Sequence, residues 1–581
     1  MKKLILLLLS LITLGSFAAD SQDQKMKWWD DAKFGMFIHW GLYSQCEGYW
    51  KDKPVSGIGE WILKIGEIPV ADYKELTKTF NAEKVDVESW IKLAKQAGMK
   101  YVVITAKHHD GFALFNSKAN DFNVVKSTPY GQDIIKQFVQ ACNKHDLKVG
   151  FYYSQYQDWT FPGAAGNNWE AGYKLQGDSF EKYMREKALP QVRELLTQYG
   201  KIDMIWYDTP MKMTKAQSAA FLDLSRELQP EIIVSGRIGN ELGDYTQMED
   251  NNLPSIRQDY RWEVPVTMNH TWAYKRDDHH WKSTSYILWQ LTQSVSMGGN
   301  YLLNIGPKGD GSVPLASVER LTQVGDWMKL HSEAIKDASS SPFKNKFSWG
   351  NITQRPGRLY LNVMDWPKEQ LALFGLKNKI KKISLLKNGT QLPFSIDGDY
   401  LLIDTPSQAP DEFMSVIAID YVGTIQVDDS LVQEYKSSIS LEAASAKNTT
   451  NSRIHFGATN RLFRPGGKLS WDFKITQPGK YKLQVITTGY KRMAWPERPA
   501  IWEGGHKVAI DFNQQKFIGE LQRDSEEAAP RDMYNTFKVS EMGEVNITKS
   551  GDFQLSLKPL KVINKKRAGL NIRQVRLVPV N

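Results

Sequence analysis

Cysteine is nearly absent from the sequence, which contains only Cys46 and Cys142 among its 581 residues. Two cysteines are too few for the disulfide framework that holds small secreted domains together. They could pair in an oxidising compartment, but Cys142 falls on the apolar face of a predicted helix with Ile135, Phe138 and Val139. We therefore expect Cys142 to be a buried free thiol.

Long hydrophobic runs are absent after the first twenty residues. No later stretch reaches the ~18 consecutive apolar residues that would span a bilayer, so no membrane span is predicted. At the N-terminus, two lysines precede the apolar run from Leu4 to Leu14, and Ser16-Phe17-Ala18 follows it. This order predicts a signal peptide at residues 1–19 and a secreted or periplasmic protein.

Clusters of one charge are also absent. The net charge of +9 is spread along the chain, and no Lys/Arg run of the kind that binds nucleic acid occurs. The excess of positive charge favours an anionic environment, such as a sulfated glycan. Aromatic residues are plentiful, with 19 Trp, 24 Tyr and 24 Phe; they could stack on sugar rings or fill the cores of large domains. No nucleic-acid partner and no particular oligomeric state are predicted.

Short apolar runs alternate with amphipathic stretches from about residue 30 to residue 335. The runs that read as buried parallel strands are FGMFIHWG (34–41), YVVITAK (101–107), KVGFYYS (148–154), MIWYD (204–208), IIVSGR (232–237) and GNYLLNIG (299–306). Helical patterns lie between them, at 87–98, 133–146, 180–199, 216–229 and 285–295. This alternation predicts an α/β fold of the (β/α)8 or TIM-barrel type, with six of its strands visible in the sequence.

After Pro342 the pattern changes to short alternating strands separated by turns. We predict a catalytic barrel at residues 20–340, a β-sandwich at 341–424 and an accessory β-sandwich at 425–581. A polar link near 423–434 joins the two sandwiches. The accessory sandwich could bind carbohydrate or act as a structural spacer.

Polar side chains follow the predicted strands at the point where each strand ends. These residues are His39, His108, His109, Tyr153, Asp208 and Arg237. The carboxyl ends of parallel barrel strands share one face, which is where active sites of such barrels form. The convergence predicts an enzyme.

Three long segments carry a family resemblance. WWDDAKFGMFIHWGLYS (28–44), YVVITAKHHDGFALF (101–115) and VSMGGNYLLNIGPKGDGSVP (295–314) resemble the signature segments of the α-L-fucosidases of glycoside hydrolase family 29. The resemblance covers about residues 25–425. It implies a (β/α)8-like barrel followed by a β-sandwich, hydrolysis of terminal α-L-fucose from fucosylated oligo- or polysaccharides with net retention, and no metal or organic cofactor.

Retaining hydrolysis requires two carboxyl groups, a nucleophile and an acid/base. Asp208, in IDMIWYDTP, matches the nucleophile position of the family. Glu249, in GDYTQMED, resembles the acid/base segment of some members and is preferred. Glu263, in YRWEVPVTMNHTWAY, resembles the position assigned in others and is the alternative. Glu60, before Trp61, is similar to a further glutamate at the site.

The same resemblance implies a sugar pocket. Its residues are His39, Glu60, Trp61, His108, His109, Tyr153, Trp206 and Arg237. An imidazole can donate from one ring nitrogen and accept at the other, which suits hydroxyl recognition. The pairs His108-His109 and His279-His280 do not predict a metal site, because adjacent residues of an extended chain point to opposite sides.

Two alternative functions are compatible with the sequence. A relative that acts on α-L-galactosides would differ only in accepting a hydroxyl group at C6. A non-catalytic glycan-binding protein could use the same barrel. The presence of Asp208 together with several candidate acids favours an enzyme.

Overall fold

The computed structural model describes residues 23–344, 346–449, 454–460, 463–490, 501–528, 535–565 and 568–580. The predicted signal peptide lies outside the described residues. Among those residues, no helix combines the length and the apolar character that crossing a bilayer would require. Cys46 and Cys142 are both buried free thiols, which confirms the expectation for Cys142.

The chain forms two compact units. The first comprises the residues up to Asn251, with Tyr260–Lys282 and Gly299–Ala338. The second comprises Asn252–Asp259, Ser283–Gly298 and the residues from Ser339 onwards. The three domain boundaries proposed from the sequence stay predictions, since each of the two units combines separate segments of the chain and does not correspond to one predicted domain.

Eight strands form one parallel sheet in the first unit. In chain order, β1 to β8 are Phe34–Ile38, Tyr101–Lys107, Lys148–Ser154, Met204–Asp208, Ile233–Val234, Thr246–Gln247, Trp262–Val266 and Asn300–Ile305. The spatial order is β5-β4-β3-β2-β1-β8-β7-β6, and every neighbouring pair is parallel. Asp244 N, just before β6, donates to Val234 O in β5 at 2.8 Å, so the two edge strands approach each other.

The sequence did not reveal β6 and β7. Strand β6 has only two residues, which is too short for a periodicity to be visible. Strand β7 contains Glu263 and Pro265, and these interrupt the apolar run that marks a buried parallel strand.

Six longer helices occur among the described residues, and all but the fifth belong to the first unit. In chain order, α1 to α6 are Val87–Gln96, Ile134–Lys144, Leu189–Thr197, Lys215–Leu228, Thr284–Ser296 and Leu315–His331. The side chains of Asp86, Asp133 and Thr214 cap α1, α2 and α4 by accepting a hydrogen bond from a backbone N–H three residues later. The first five helices fall where the periodicity predicts them, and α6 is additional.

The second unit contains two antiparallel β-sandwiches. Strands β9 to β15 of the first are Gly350–Arg355, Arg358–Val363, Gln370–Phe374, Ile380–Leu385, Phe394–Asp397, Tyr400–Asp404 and Ser415–Tyr421. They form a four-stranded sheet in the order β9-β10-β15-β12 and a three-stranded sheet in the order β11-β14-β13. Leu361, Leu373, Ile403 and Ile417 lie in the core between them.

The second sandwich is larger. Its main strands β16 to β23 are Ile439–Glu442, Leu469–Ile475, Gly479–Tyr490, His506–Phe512, Gln515–Leu521, Asn535–Ile547, Gly551–Lys561 and Ile572–Pro579. These strands belong to two five-stranded sheets around a core that includes Trp471, Leu483, Ile510 and Leu555. The predicted fold class, a barrel followed by two sandwiches, is confirmed.

The link between the two sandwiches is ordered and partly buried. Gln433 is fully buried, and its side-chain oxygen accepts hydrogen bonds from Thr476 N and Gln477 N, both at 3.1 Å. Its side-chain nitrogen donates to Tyr481 OH at 2.8 Å, and Tyr400 OH donates to its backbone oxygen at 2.5 Å. The polar link of the sequence is therefore a strap that both sandwiches hold.

Candidate active site

The predicted catalytic residues meet at the carboxyl ends of the barrel strands. Asp208 is the last residue of β4. His39 follows β1, the pair His108-His109 follows β2, and Arg237 lies in the turn after β5. Because parallel strands end at the same edge, residues from distant parts of the chain share one pocket.

Asp208 is held by donors on both carboxylate oxygens. Tyr152 OH donates to Oδ2 at 2.8 Å, while Thr209 N at 2.8 Å and Arg237 Nη1 at 2.9 Å donate to Oδ1. His109 Nε2 lies 3.6 Å from Oδ2. Burial alone would raise the pKa of Asp208, but the Arg237 charge and these hydrogen bonds outweigh burial and lower it. Asp208 is therefore ionised at neutral pH.

Arg237 joins Asp208 to a second carboxylate. Its Nη1 donates to Asp208, and its Nη2 forms a short hydrogen bond to Asp250 Oδ1. The guanidinium lies over the Trp206 ring, 5.0 Å from its centroid. Burial raises the pKa of Asp250, and the charges of Asp208 and Glu249 raise it further, while Arg237 only partly offsets them. One guanidinium thus holds two carboxyl groups whose pKa values are shifted in opposite directions.

Glu60 is a second carboxyl group with a raised pKa. It is 1% exposed, and Oε2 accepts a hydrogen bond from Ala273 N at 3.0 Å. Oε1 is buried and has no hydrogen-bond partner among the described residues. Burial raises the pKa of Glu60 to about 7. Trp61, next to it, lies edge-on to His109 with ring centroids 5.6 Å apart.

The two glutamates considered for the acid/base lie in different surroundings. Glu263 is fully buried, and it accepts hydrogen bonds from Tyr101 OH at 2.6 Å, Trp206 Nε1 at 2.9 Å and Tyr245 OH at 3.0 Å. Burial raises the pKa of Glu263, and these three donors, which stabilise its anion, only partly offset burial. Glu249 is exposed. The assignment of either glutamate as the acid/base stays a prediction.

The three histidines of the pocket are buried and neutral. Burial lowers the pKa of His39 to about 4 and that of His109 to about 3, and it lowers the pKa of His108 well below 6.5. His39 Nδ1 is 2.7 Å from Asn304 Oδ1. His108 Nδ1 is buried and has no hydrogen-bond partner among the described residues. Neutral imidazoles with an available ring nitrogen can donate to or accept from sugar hydroxyl groups.

Tyr153 lies away from Asp208. Its hydroxyl donates to Gln191 Oε1 at 2.9 Å, and the Lys107 ammonium lies over its ring. The preceding residue, Tyr152, is the one that reaches Asp208. Successive side chains of a strand point to opposite faces, so an error of one residue assigns to the pocket a side chain that lies on the outer face. The place predicted for Tyr153 is corrected to Tyr152.

Three residues of the pocket were not predicted from the sequence. They are Tyr152, Asp250 and Trp272, whose ring lies 5.0 Å from that of His39. Asp250 directly follows Glu249 in the segment that resembles the acid/base segment of the family. Trp272 lies in the segment that also contains Glu263.

Comparison with known proteins identifies the group to which this site belongs. Residues 16–333 match the family model described as Alpha-L-fucosidase. The chain belongs to the α-L-fucosidase family. It is 30% identical to the tissue α-L-fucosidase of Macaca fascicularis over 428 residues, which cover 69% of this chain and 88% of the relative. The predicted recognition and the predicted glycoside hydrolase activity are confirmed.

Two solved α-L-fucosidase structures are also similar. The enzyme from Vibrio sp. strain EJY3 has a TM-score of 0.85 and 28% identity, covering 96% of this chain and 98% of its own. The enzyme from Bacteroides thetaiotaomicron has a TM-score of 0.63 and 28% identity, covering 69% and 97%. The latter was solved as a trapped covalent intermediate in complex with 2-fluoro-fucosyl fluoride.

Proposed function

We propose that this α-L-fucosidase removes terminal α-L-fucosyl residues from fucosylated oligo- or polysaccharides, with Asp208 as the nucleophile and Asp250 as the acid/base. The observation that carries the assignment is the Arg237 guanidinium, which binds both carboxyl groups. Groups bound to adjacent nitrogens of one guanidinium lie a few ångströms apart, and retaining enzymes need a separation of about 5–5.5 Å. The covalent intermediate of the Bacteroides relative supports a retaining mechanism.

The first step forms a fucosyl ester on Asp208. The ionised carboxylate attacks the anomeric carbon while the bond from that carbon to the leaving oxygen breaks. The leaving oxygen takes the proton of the Asp250 carboxyl group, whose pKa is raised by burial and by the neighbouring carboxylates, which favours the protonated form. Asp208 becomes neutral as an ester at the moment when Asp250 becomes an anion.

The second step reverses these roles. The Asp250 carboxylate removes a proton from water, the water oxygen bonds to the anomeric carbon, and the ester bond to Asp208 breaks. One of the two carboxyl groups carries a negative charge before, between and after the steps. The fixed Arg237 charge can therefore stabilise the site throughout the cycle without moving.

The sugar would be recognised by neutral donors and acceptors. His39, His108 and His109 offer ring nitrogens, and the Glu60 Oε1 atom adds a further group for a hydroxyl. The Trp61 and Trp272 rings can form the apolar wall that the C6 methyl of fucose needs. Such a wall rejects the added hydroxyl of an α-L-galactoside only moderately, so slow cleavage of aryl α-L-galactosides is expected.

The nucleophile can be tested by removal and rescue. Asp208→Gly should lower turnover by several orders of magnitude, and azide should restore part of it as fucosyl azide. In the native enzyme, a 2-fluoro-fucosyl label followed by peptide mass mapping should be found on Asp208. A label on another side chain would show that the nucleophile is misassigned. A non-catalytic glycan-binding barrel would give neither label nor rescue.

We also propose that the protein is exported. The support is the lysine-led apolar segment at residues 1–19 of the sequence. N-terminal sequencing of protein isolated from the culture medium or periplasm should begin near residue 20. A start at residue 1 in mature protein would contradict export through this segment.

A further inference from the structure

A cluster of possible metal ligands lies in the loop after β7. His270, Asp278 and His280 each offer one ligand atom, and these three atoms all lie within 4.8 Å of one another. The His280 Nδ1 atom is 3.3 Å from Asp278 Oδ1, and the His270 Nδ1 atom is 3.9 Å from the same oxygen. The two imidazole rings are stacked with centroids 4.5 Å apart.

The backbone holds the carboxylate between the two rings. Asp278 Oδ2 accepts a hydrogen bond from His270 N at 2.8 Å, and Oδ1 accepts one from His280 N at 3.2 Å. Both bonds come from the backbone of the same loop, so they hold the carboxylate without using either imidazole ring. Outer hydrogen bonds of this kind orient the ligands of metal sites.

We propose that His270, Asp278 and His280 bind a zinc ion. Imidazole nitrogen and carboxylate oxygen are ligands that Zn²⁺ prefers, at about 2.0–2.2 Å. Ligand atoms of a tetrahedral ion at this distance are about 3.3 Å apart, which matches His280 and Asp278 and requires a small movement of His270. The His280 side chain is 67% exposed, so water can occupy the fourth position.

The ion would close a loop that shapes the sugar pocket. Lys282 N donates to Met268 O at 2.8 Å, which joins the two ends of the loop, and the cluster lies just inside this neck. Between the ligands lie Trp272, which packs on His39, and Ala273, which donates to Glu60. Zinc would stabilise this wall of the pocket and take no part in the bond changes of hydrolysis.

The sequence alone does not predict this site, because only one histidine of the adjacent pair His279-His280 is among its ligands. Of this pair, only His280 belongs to the cluster. Its partners are two and ten residues earlier in a loop without regular structure, so no spacing motif exists.

The neighbouring histidine supplies a matched control. Full-length protein without an affinity tag is stripped with a chelator and titrated with Co²⁺ and with Zn²⁺, following the cobalt absorption bands, calorimetry and metal content by mass spectrometry. We expect one equivalent to bind and the melting temperature to rise with Zn²⁺. His280→Ala should weaken binding by at least about tenfold, whereas His279→Ala should bind like the native protein.

Three results would overturn the proposal. These are no stoichiometric binding by the native chain, unchanged binding by His280→Ala, and equal loss in both variants. Because the His280 side chain is exposed, its removal should leave the fold intact, and hydrolysis of an aryl α-L-fucoside by the variant would verify this. The metal titration does not depend on the proposed function, so the two can fail separately.

Discussion

At the scale of single residues, catalysis depends on which carboxyl group carries the proton. Asp208 and Asp250 share one guanidinium, yet charge and hydrogen bonds lower the pKa of the first while burial raises that of the second. Glu60 is the competing donor, since burial raises its pKa to about 7. Variants of these groups separate the roles.

The first prediction concerns the acid/base. Asp250→Asn should lower kcat/KM by roughly 10²–10⁴-fold for fucosides with poor leaving groups and much less for dinitrophenyl fucoside, which needs no protonation. In the Asp250→Asn variant, the fall of kcat/KM at alkaline pH should also disappear. Glu249→Gln is the matched control, because it removes an exposed charge next to Asp250.

Steady-state kinetics across pH with both substrates measures these effects. If Glu60→Gln shows the leaving-group dependence and Asp250→Asn does not, then Glu60 is the acid/base. If Glu249→Gln shows the leaving-group dependence, Glu249 is the acid/base, as the sequence resemblance indicated.

The second prediction concerns stability. The pKa of Glu60 in the folded state, about 7, lies above 4.5, the ordinary value for a glutamate. The contribution of Glu60 to the free energy of unfolding is therefore fully present below pH 4.5. It is lost as the pH rises through 7, by about 3 kcal/mol in total at ~1.4 kcal/mol per pKa unit. Glu60→Gln should thus gain stability relative to the native protein between pH 5 and pH 8. Denaturation curves at both pH values measure this, and the exposed Glu231→Gln should show no such gain.

The sequence predicts which residues reach the pocket when they end a strand, but not when the geometry of a turn decides which side chain faces the pocket. Asp208 was predicted because its segment resembles the nucleophile segment of the family and ends a strand, and strand ends are predictable. Asp250 was not, because the turn after β6 determines whether residue 249 or residue 250 faces the pocket. Periodicity carries no information about a turn.

At the scale of elements, the two-residue repeat of β3 divides its tyrosines. Tyr152 donates to Asp208, and Tyr153 donates to Gln191 on the other face. The boundaries of a strand can be predicted from its apolar run, but its facing cannot when both faces are buried. This is the situation in a parallel barrel, where helices cover the outer face.

The third prediction uses this division. Tyr152→Phe removes a hydrogen bond to the Asp208 carboxylate, which should raise the pKa of Asp208 and move the acid limb of kcat/KM to higher pH by about one unit. Tyr153→Phe should leave that limb in place and lower the melting temperature instead, because Gln191 loses its donor. An equal shift in both variants would contradict the assignment of Tyr152.

At the scale of the whole molecule, alternation of strands and helices was sufficient to predict the barrel, and the change after Pro342 predicted the sandwiches. The match to the Vibrio enzyme covers 96% of the chain and therefore extends into the C-terminal sandwich. The strap at Gln433 was not predictable, because a polar residue in a linker normally faces solvent.

The fourth prediction tests the strap. Gln433→Ala leaves Thr476 N and Gln477 N without their acceptor, and each buried unsatisfied group costs about 1–3 kcal/mol. We expect a lower melting temperature with unchanged kcat. The exposed Gln370→Ala, which loses one hydrogen bond to Asp404, is the control and should melt like the native protein. Equal melting of both variants would show that the strap contributes no stability.

The shared guanidinium also means that the nucleophile cannot be deleted in isolation. In Asp208→Gly the negative charge that helps to raise the pKa of Asp250 is gone, and Arg237 has one carboxylate left to neutralise. The remaining carboxyl group should then release its proton more readily. A synthase made by that substitution would use the Asp250 carboxylate as a base towards the acceptor hydroxyl, and the lowered pKa would keep this base ionised at a lower pH than in the native enzyme.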